Sequence, residues 1–311
     1  MSMNLLHRTH FNTSPLMFAA WTGAGNVGIL AVDYLRRHLD AHLFAQIDMS
    51  QFIVPESIMV TSGVAHFPET PQSVFYHNHN PDLVIFESNA HAGGNHDIDV
   101  IRTILELARE LNAPRIYTAA ALPRPMSHSA EPQLLYACNN TRLKIEMENS
   151  GLEPMPDGII SGLNGLILGF AETKGIDAVC LLATIPAYAA GLTYPRAALT
   201  IIRNLSSMLG VDIDYSELEA DIEAADPMFA EIEEKLKEFF SSGIIESEAE
   251  EGEEAREEVL SEDVPRYVMD RIERMFQAAG KDKAKAQELK KELDRWGLYN
   301  LYENRFLDLF E

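Results

Sequence analysis

"AAWTGAGNVG", residues 19–28, places Gly23, Gly25 and Gly28 in a G-x-G-x-x-G spacing between an apolar run and a helical pattern. The run before it, PLMFAAW at 15–21, has the length and character of a buried strand. After it, Val27, Leu30, Ala31, Tyr34 and Leu35 recur at i, i+3, i+4, i+7 and i+8, one face of a helix, with Asn26 placed to cap its start. Strand, glycine turn and helix in that order set the class as α/β.

Working outward, HLFAQI at 42–47 reads as a second strand. The stretch 52–79, rich in proline and short β-prone pieces, reads as hairpins and loops and breaks a simple doubly wound pattern. DLVIFES at 82–88 restores a buried strand, followed by a helix with Ile98, Ile101, Ile104, Leu105, Ala108 and Leu111 inward and Asn112 and Pro114 as its stop. RIYTAAA adds a strand, GIISGLNGLILGFAETKG an apolar helix, IDAVCLLATI another strand, and PRAALTIIRNLSSMLG a helix from Pro195 to just before Gly210. In the apolar helix, Gly162, Gly165 and Gly169 read first as small residues for close packing. Then Leu218, Ile222, Ala225, Phe229, Ile232, Leu236 and Phe239 recur with a 3.5-residue period. Asp226-Pro227 predicts a break into two short helices there, and Ser216 with Glu219 a capping box.

Charge divides the chain. The 311 residues carry a net charge of −23, and residues 246–258 alone hold eight Glu and one Arg. Such a segment repels itself and predicts an acidic flexible linker over 243–261, between an α/β domain at 1–242 and a helical C-terminal extension at 262–311. The acidity and the lack of any Lys/Arg cluster exclude nucleic acid as a partner. No apolar run approaches the roughly 18 residues of a bilayer helix, so no membrane is expected. The N-terminus lacks signal-peptide character, and two cysteines, Cys138 and Cys180, fit a reducing compartment. The expected location is the cytoplasm.

"GAGNVGILAVDYL", "GIISGLNGLILGFAETKGIDAVCLLATIPAY" and "YPRAALTIIRNLSSMLGVDIDYSEL", in this order and spacing, resemble the PAC2 (proteasome assembly chaperone 2) family over roughly residues 15–240. The most specific parts are the glycine-spaced block at 162–176 and the Pro186, Tyr188, Pro195, Ala197, Ala198 stretch. The resemblance implies a three-layer α/β/α sandwich like that of nucleoside phosphorylases, a homo-oligomer, and chaperone-type roles in relatives that assist proteasome assembly.

Three chemical readings of the opening turn compete. A dinucleotide site would use Asp48, twenty residues after Gly28, as its ribose-binding acid. A weaker anion niche would use the amides of Gly23, Ala24, Gly25 and Asn26 with Arg124. The third is a structural turn. The hairpin region weighs against a dinucleotide, and no cofactor is expected. Histidines concentrate at His66, His77, His79, His91, His96 and His128, around the strand that ends near Glu87. Glu87, His91 and His96 are the candidate acid–base groups. The spacing matches no metal signature, and no metal is expected. The last residues, Leu309, Phe310 and Glu311, are similar to the hydrophobic-Tyr-X tails by which proteasome activators engage the 20S particle, with Phe in place of Tyr.

Function then falls into three classes. A non-catalytic oligomeric assembly protein, with proteasome subunits as partners, is favoured by the resemblance, the tethered tail and the lack of a complete catalytic motif. The alternative is an enzyme on a phosphorylated or nucleoside-like small molecule, with a nucleoside-phosphorylase-like or ligase-like site. A remoter alternative is an NAD-dependent oxidoreductase. Whether the chain is an enzyme stays open at this level.

Overall fold

The computed structural model describes residues 3–49, 58–66, 72–89 and 93–247, and beyond these residues 275, 276, 285, 289, 290 and 293. The chain divides into two compact units, Met1–Lys237 and Glu238–Glu311. In the second, Phe276, Leu289 and Leu293 are buried.

The first unit is built on strands β1 (Met3–Leu5), β2 (Leu16–Trp21), β3 (His42–Ile47), β4 (Met59–Thr61), β5 (Val64–His66), β6 (Ser73–His79), β7 (Asp82–Ser88), β8 (Arg115–Arg124), β9 (Leu134–Cys138), β10 (Glu153–Pro154) and β11 (Asp177–Pro186). Its helices are α1 (Val27–His38), α2 (Asn95–Glu110), α3 (Thr141–Asn149), α4 (Leu163–Thr173) and α5 (Pro195–Leu209), and it contains most of α6 (Ser216–Ser247). Among the described residues nine strands form one sheet in the order β1-β3-β6-β7-β2-β8-β11-β9-β10, and β4 and β5 form a separate two-stranded sheet. The centre, β7-β2-β8-β11, is parallel; β6 runs antiparallel to both β3 and β7.

These central strands are apolar at nearly every position because both faces are covered. Along β2, Phe18 and Ala20 enter the core shared with α1, α3, α5 and α6, whereas Met17, Ala19 and Trp21 enter the core shared with α2 and α4. Helices therefore cover both faces of a large mixed sheet. Among the described residues no helix is long and apolar enough to cross a membrane.

The periodicities place α1, α2, α4 and α5, and the stretch 52–79 does contain the β4–β5 hairpin and β6. Helix α5 ends at Gly210 in the left-handed region, φ 65°, the conformation a terminating glycine adopts without strain. Three expectations are corrected. Asp226-Pro227 does not divide the helix: α6 is continuous, with exposed Pro227 on its outer side. Leu218, Ile222 and Phe229 are buried in the core, and that anchorage on both sides of the proline outweighs its missing hydrogen bond. The helix also runs to Ser247, into the stretch expected as linker. At its start, the Ser216 amide donates to the Asp214 carboxylate, which takes the place expected of a capping box. Strands β1, β9 and β10 and helix α3 had no expectation attached to them.

Candidate functional site

The parallel strands β7, β2, β8 and β11 all end at one edge, at Ser88, Trp21, Arg124 and Pro186. In open α/β sheets this carboxyl edge is where ligands are bound. The glycine turn lies there, as a 3-10 turn over Ala24–Asn26.

Its polar groups are turned toward the chain itself. The Gly25 amide donates to the Ala190 carbonyl at 2.8 Å, the Tyr194 amide donates back to the Gly25 carbonyl at 2.8 Å, and the Asn26 amide donates to Gly23. Two of the four amides proposed for an anion niche are thus occupied. Asn26 stands at the helix start but does not cap it; its side chain donates to Thr193 Oγ1 at 3.1 Å. From the other face, buried Asn164 accepts from the Trp21 amide at 3.1 Å and donates to the Trp21 carbonyl at 3.3 Å. The glycines serve the same closure. Gly25 is left-handed at φ 63°, and a Cβ on Gly28 would lie 2.0 Å from the Ala119 carbonyl oxygen, so α1 sits directly on β8.

Asp48 is not placed for a ribose. It follows β3, and β6 and β7 stand between β3 and β2, because the α1 crossover carries the chain past two strand positions that β6 and β7 fill on the way back. Arg124 is exposed at the end of β8, in register with Pro186.

Glu87 points to the α1 face and is 9% exposed. Both its oxygens accept from Arg36 Nε, at 2.9 and 3.0 Å. Arg36 also binds Asp33, and its guanidinium lies 4.5 Å over the Tyr76 ring. Burial pushes the Glu87 carboxyl up to about 7, the pull of Arg36 offsetting only part of the lost solvation. Of its two expected acid–base partners, one can be placed, and it lies elsewhere. His96 is exposed in the first turn of α2, a helix packed on the opposite face, and His91 lies outside the described residues. Leu309, Phe310 and Glu311 also lie outside them.

The densest polar cluster at the edge was not legible in the sequence. Glu233 of α6 accepts through Oε2 from Ser127 Oγ (2.8 Å), the His128 amide (3.1 Å) and Tyr188 Oη (3.1 Å), with His128 Nδ1 at 2.6 Å. Lys237 donates to Oε1 at 2.8 Å. Lys237, then His128 and Ser127, hold the Glu233 carboxyl well below its ordinary range against the cost of burial. Tyr194 donates to the His128 carbonyl at 2.9 Å and packs edge-on against Phe229 at 5.0 Å. Burial pushes its phenol up to about 12. One helix, two loops and the glycine-turn contact are fastened together here. Only His128, among the concentrated histidines, signalled it.

His77 and His79 share one side of β6, as their spacing predicts, with ring centroids 4.7 Å apart. His77 also meets His42 and Phe44, and burial lowers its pKa. Among the described residues no three His, Cys, Asp or Glu side chains are arranged to hold a metal ion. Both thiols are free; burial pushes Cys180 up to about 12 and raises Cys138, the reverse of an activated nucleophile.

The family model described as "PAC2 family" matches residues 17–233. An uncharacterized protein of Methanocaldococcus jannaschii is 24% identical over 231 residues, 72% of this chain and 83% of that one. Among solved structures, Pyrococcus furiosus PbaB, an archaeal proteasome activator, superposes with a TM-score of 0.62 at 21% identity, covering 75% of this chain and 98% of PbaB. Pyrococcus furiosus PbaA, an archaeal homolog of proteasome-assembly chaperone, gives 0.60 at 21% identity over 79% and 98% of the two chains. A proteasome-assembly chaperone homologue of Mycobacterium tuberculosis gives 0.58 at 20% identity over 70% and 94%. At these identities the shared property is the fold.

Proposed function

The chain belongs to the PAC2 family, and from that premise we propose that it is a non-catalytic, homo-oligomeric assembly protein of the cytoplasm whose partners are proteasome subunits. The observation that carries the reading is the self-closure of the carboxyl edge. Where an α/β enzyme keeps backbone amides open for its ligand, this chain bonds Gly25 and Asn26 to its own carbonyls and fills the rim with the Glu233 cluster. The names of PbaA and PbaB supply the class of partner. The free cysteines are compatible with a reducing compartment. Within this proposal the 262–311 extension, tethered through the acidic stretch, presents Leu309, Phe310 and Glu311 to the 20S particle.

The test is co-sedimentation of the full chain with 20S particles from its own host, beside a chain lacking residues 309–311. Binding by the first and loss in the second supports the reading with its tail. Binding by both keeps the partner and removes the tail, and binding by neither removes the partner.

A second reading, an enzyme on a phosphorylated or nucleoside-like small molecule with a nucleoside-phosphorylase-like arrangement of layers, is favoured by one observation. Glu87 is a buried carboxyl near neutrality, next to Arg36. A saturable rise in Tm with inorganic phosphate or nucleosides, lost in Glu87→Gln, would move the assignment to it.

A further inference from the structure

The β4–β5 hairpin stands apart from both cores. It is a two-stranded sheet of its own, joined by Ser62 and Gly63 at φ 51° and 82°, with Val60 opposite Ala65 and Thr61 opposite Val64. Every residue from 58 to 66 is exposed. Ile58, Met59, Val60 and Val64 show 58%, 48%, 62% and 67% of their surface. Alternation puts Ile58 and Val60 on one face of the hairpin and Met59 and Val64 on the other, so both faces are apolar and uncovered. An isolated two-stranded hairpin in water is marginal. An exposed apolar finger of this kind is stabilised when a partner covers it.

The charge pattern selects the partner. In a chain of net charge −23, residues 58–66 contain no Asp, Glu, Lys or Arg. The same holds for Met3–Leu6, which includes β1, one of the two end strands of the nine-stranded sheet. Among the described residues strand β1 pairs through one edge, with β3, and its Leu5 and the neighbouring Leu6 and Leu43 are 55%, 41% and 38% exposed. An open strand edge is a template for another strand. Strands β1, β4 and β5 are each three residues long, and two chains this acidic approach most easily through surfaces that carry no charge.

We infer that the β4–β5 finger of one copy docks on the β1 edge of a second copy, adding a strand to its sheet. This rests on the homo-oligomeric part of the proposed function and assigns its surfaces. Finger and edge are different patches, so the contact is head-to-tail and extends until it closes a ring.

The experiment measures native mass for the full chain, for V60K/V64K in the finger, for Leu5→Lys at the edge, and for an equimolar mixture of the two variants. Circular dichroism and Tm verify that each variant is folded. Each variant alone falls to the mass of a single chain. The mixture yields dimers, because one intact finger meets one intact edge. A wild-type oligomer whose mass neither variant changes overturns the inference and leaves the oligomeric reading standing. A monomeric wild type overturns both. An oligomer lost in the finger variant alone points to finger-on-finger contact and overturns the edge assignment. Finger-dependent flotation with neutral phosphatidylcholine vesicles, with native mass unchanged, makes the finger a lipid contact and overturns the inference as well.

Discussion

Glu233 Oε2 lies 2.6 Å from His128 Nδ1, a contact across 105 residues of sequence that fixes α6 to the carboxyl edge of the sheet. The same oxygen takes Ser127, Tyr188 and the His128 amide, so removing the carboxylate strands several partly buried donors at once. Glu233→Ala is expected to lower stability by about 1–3 kcal/mol, the range for leaving buried polar groups unpaired. Hydrogen exchange should quicken in α6 and in the loop around Ser127. The pH dependence has a definite sign. A carboxyl held low in the folded state contributes stability above its unfolded value, about 4.3, and loses that contribution as pH falls toward the folded value. Acid unfolding of the wild type should therefore be steeper below about pH 4 than that of Glu233→Ala.

Glu87 behaves in the opposite sense. Its folded carboxyl is pushed up to about 7, above the unfolded value, so between about pH 4 and 7 the folded state holds more protons. Its contribution is fully present below about 4 and fades as pH rises to 7. Replacing it by Gln removes that slope. Urea midpoints of the wild type should decline from pH 5 to 7 by more than those of Glu87→Gln, and parallel profiles would show that Arg36 keeps the carboxylate charged throughout.

The layers of the fold were legible because each rests on a local pattern. PLMFAAW and, but for Asp177 and Thr184, IDAVCLLATI are apolar since their strands are buried on both faces, and α1, α2 and α5 carry one apolar stripe each. Sheet order was not legible. Asp48 sits at the right count after Gly28, yet nothing local says that β6 and β7 will lie between β3 and β2. The Glu233 cluster was hidden for the same reason, its members being brought together by α6 crossing the edge. Glu87, His91 and His96 are close in sequence, but Glu87 faces α1 while α2, which carries His96, packs on the other face.

The glycine turn has a direct test. A Cβ on Gly28 would meet the Ala119 carbonyl at 2.0 Å, backbone against backbone, where neither side can yield. Gly28→Ala is expected to cost about 3 kcal/mol or more, the upper end for overpacked cores, and to reduce soluble yield. Gly25→Ala adds a methyl at 3.0 Å from the Val27 side chain and forces φ 63° on alanine, for a cost of about 1–2 kcal/mol. Because the Gly25 amide is already bonded to Ala190, saturating NAD should leave the wild-type Tm unchanged. A saturable rise would show that the 187–194 segment opens.

Pro227 separates two descriptions of α6. A proline inside a helix removes one backbone hydrogen bond and crowds the preceding turn, at a cost of about 3 kcal/mol relative to alanine in an unconstrained helix. Its rigidity in the unfolded chain returns about 1 kcal/mol of that. The residue is exposed and its side chain anchors nothing in the core, whereas Leu218, Ile222 and Phe229 on either side are buried. If α6 is continuous, Pro227→Ala should raise stability by about 1–2 kcal/mol, seen as a higher urea midpoint at unchanged slope. Were Asp226 and Pro227 instead starting a second helix, the proline would occupy a favoured first-turn position and its replacement would lower the midpoint. The direction of that one shift distinguishes a single rigid arm from two jointed helices.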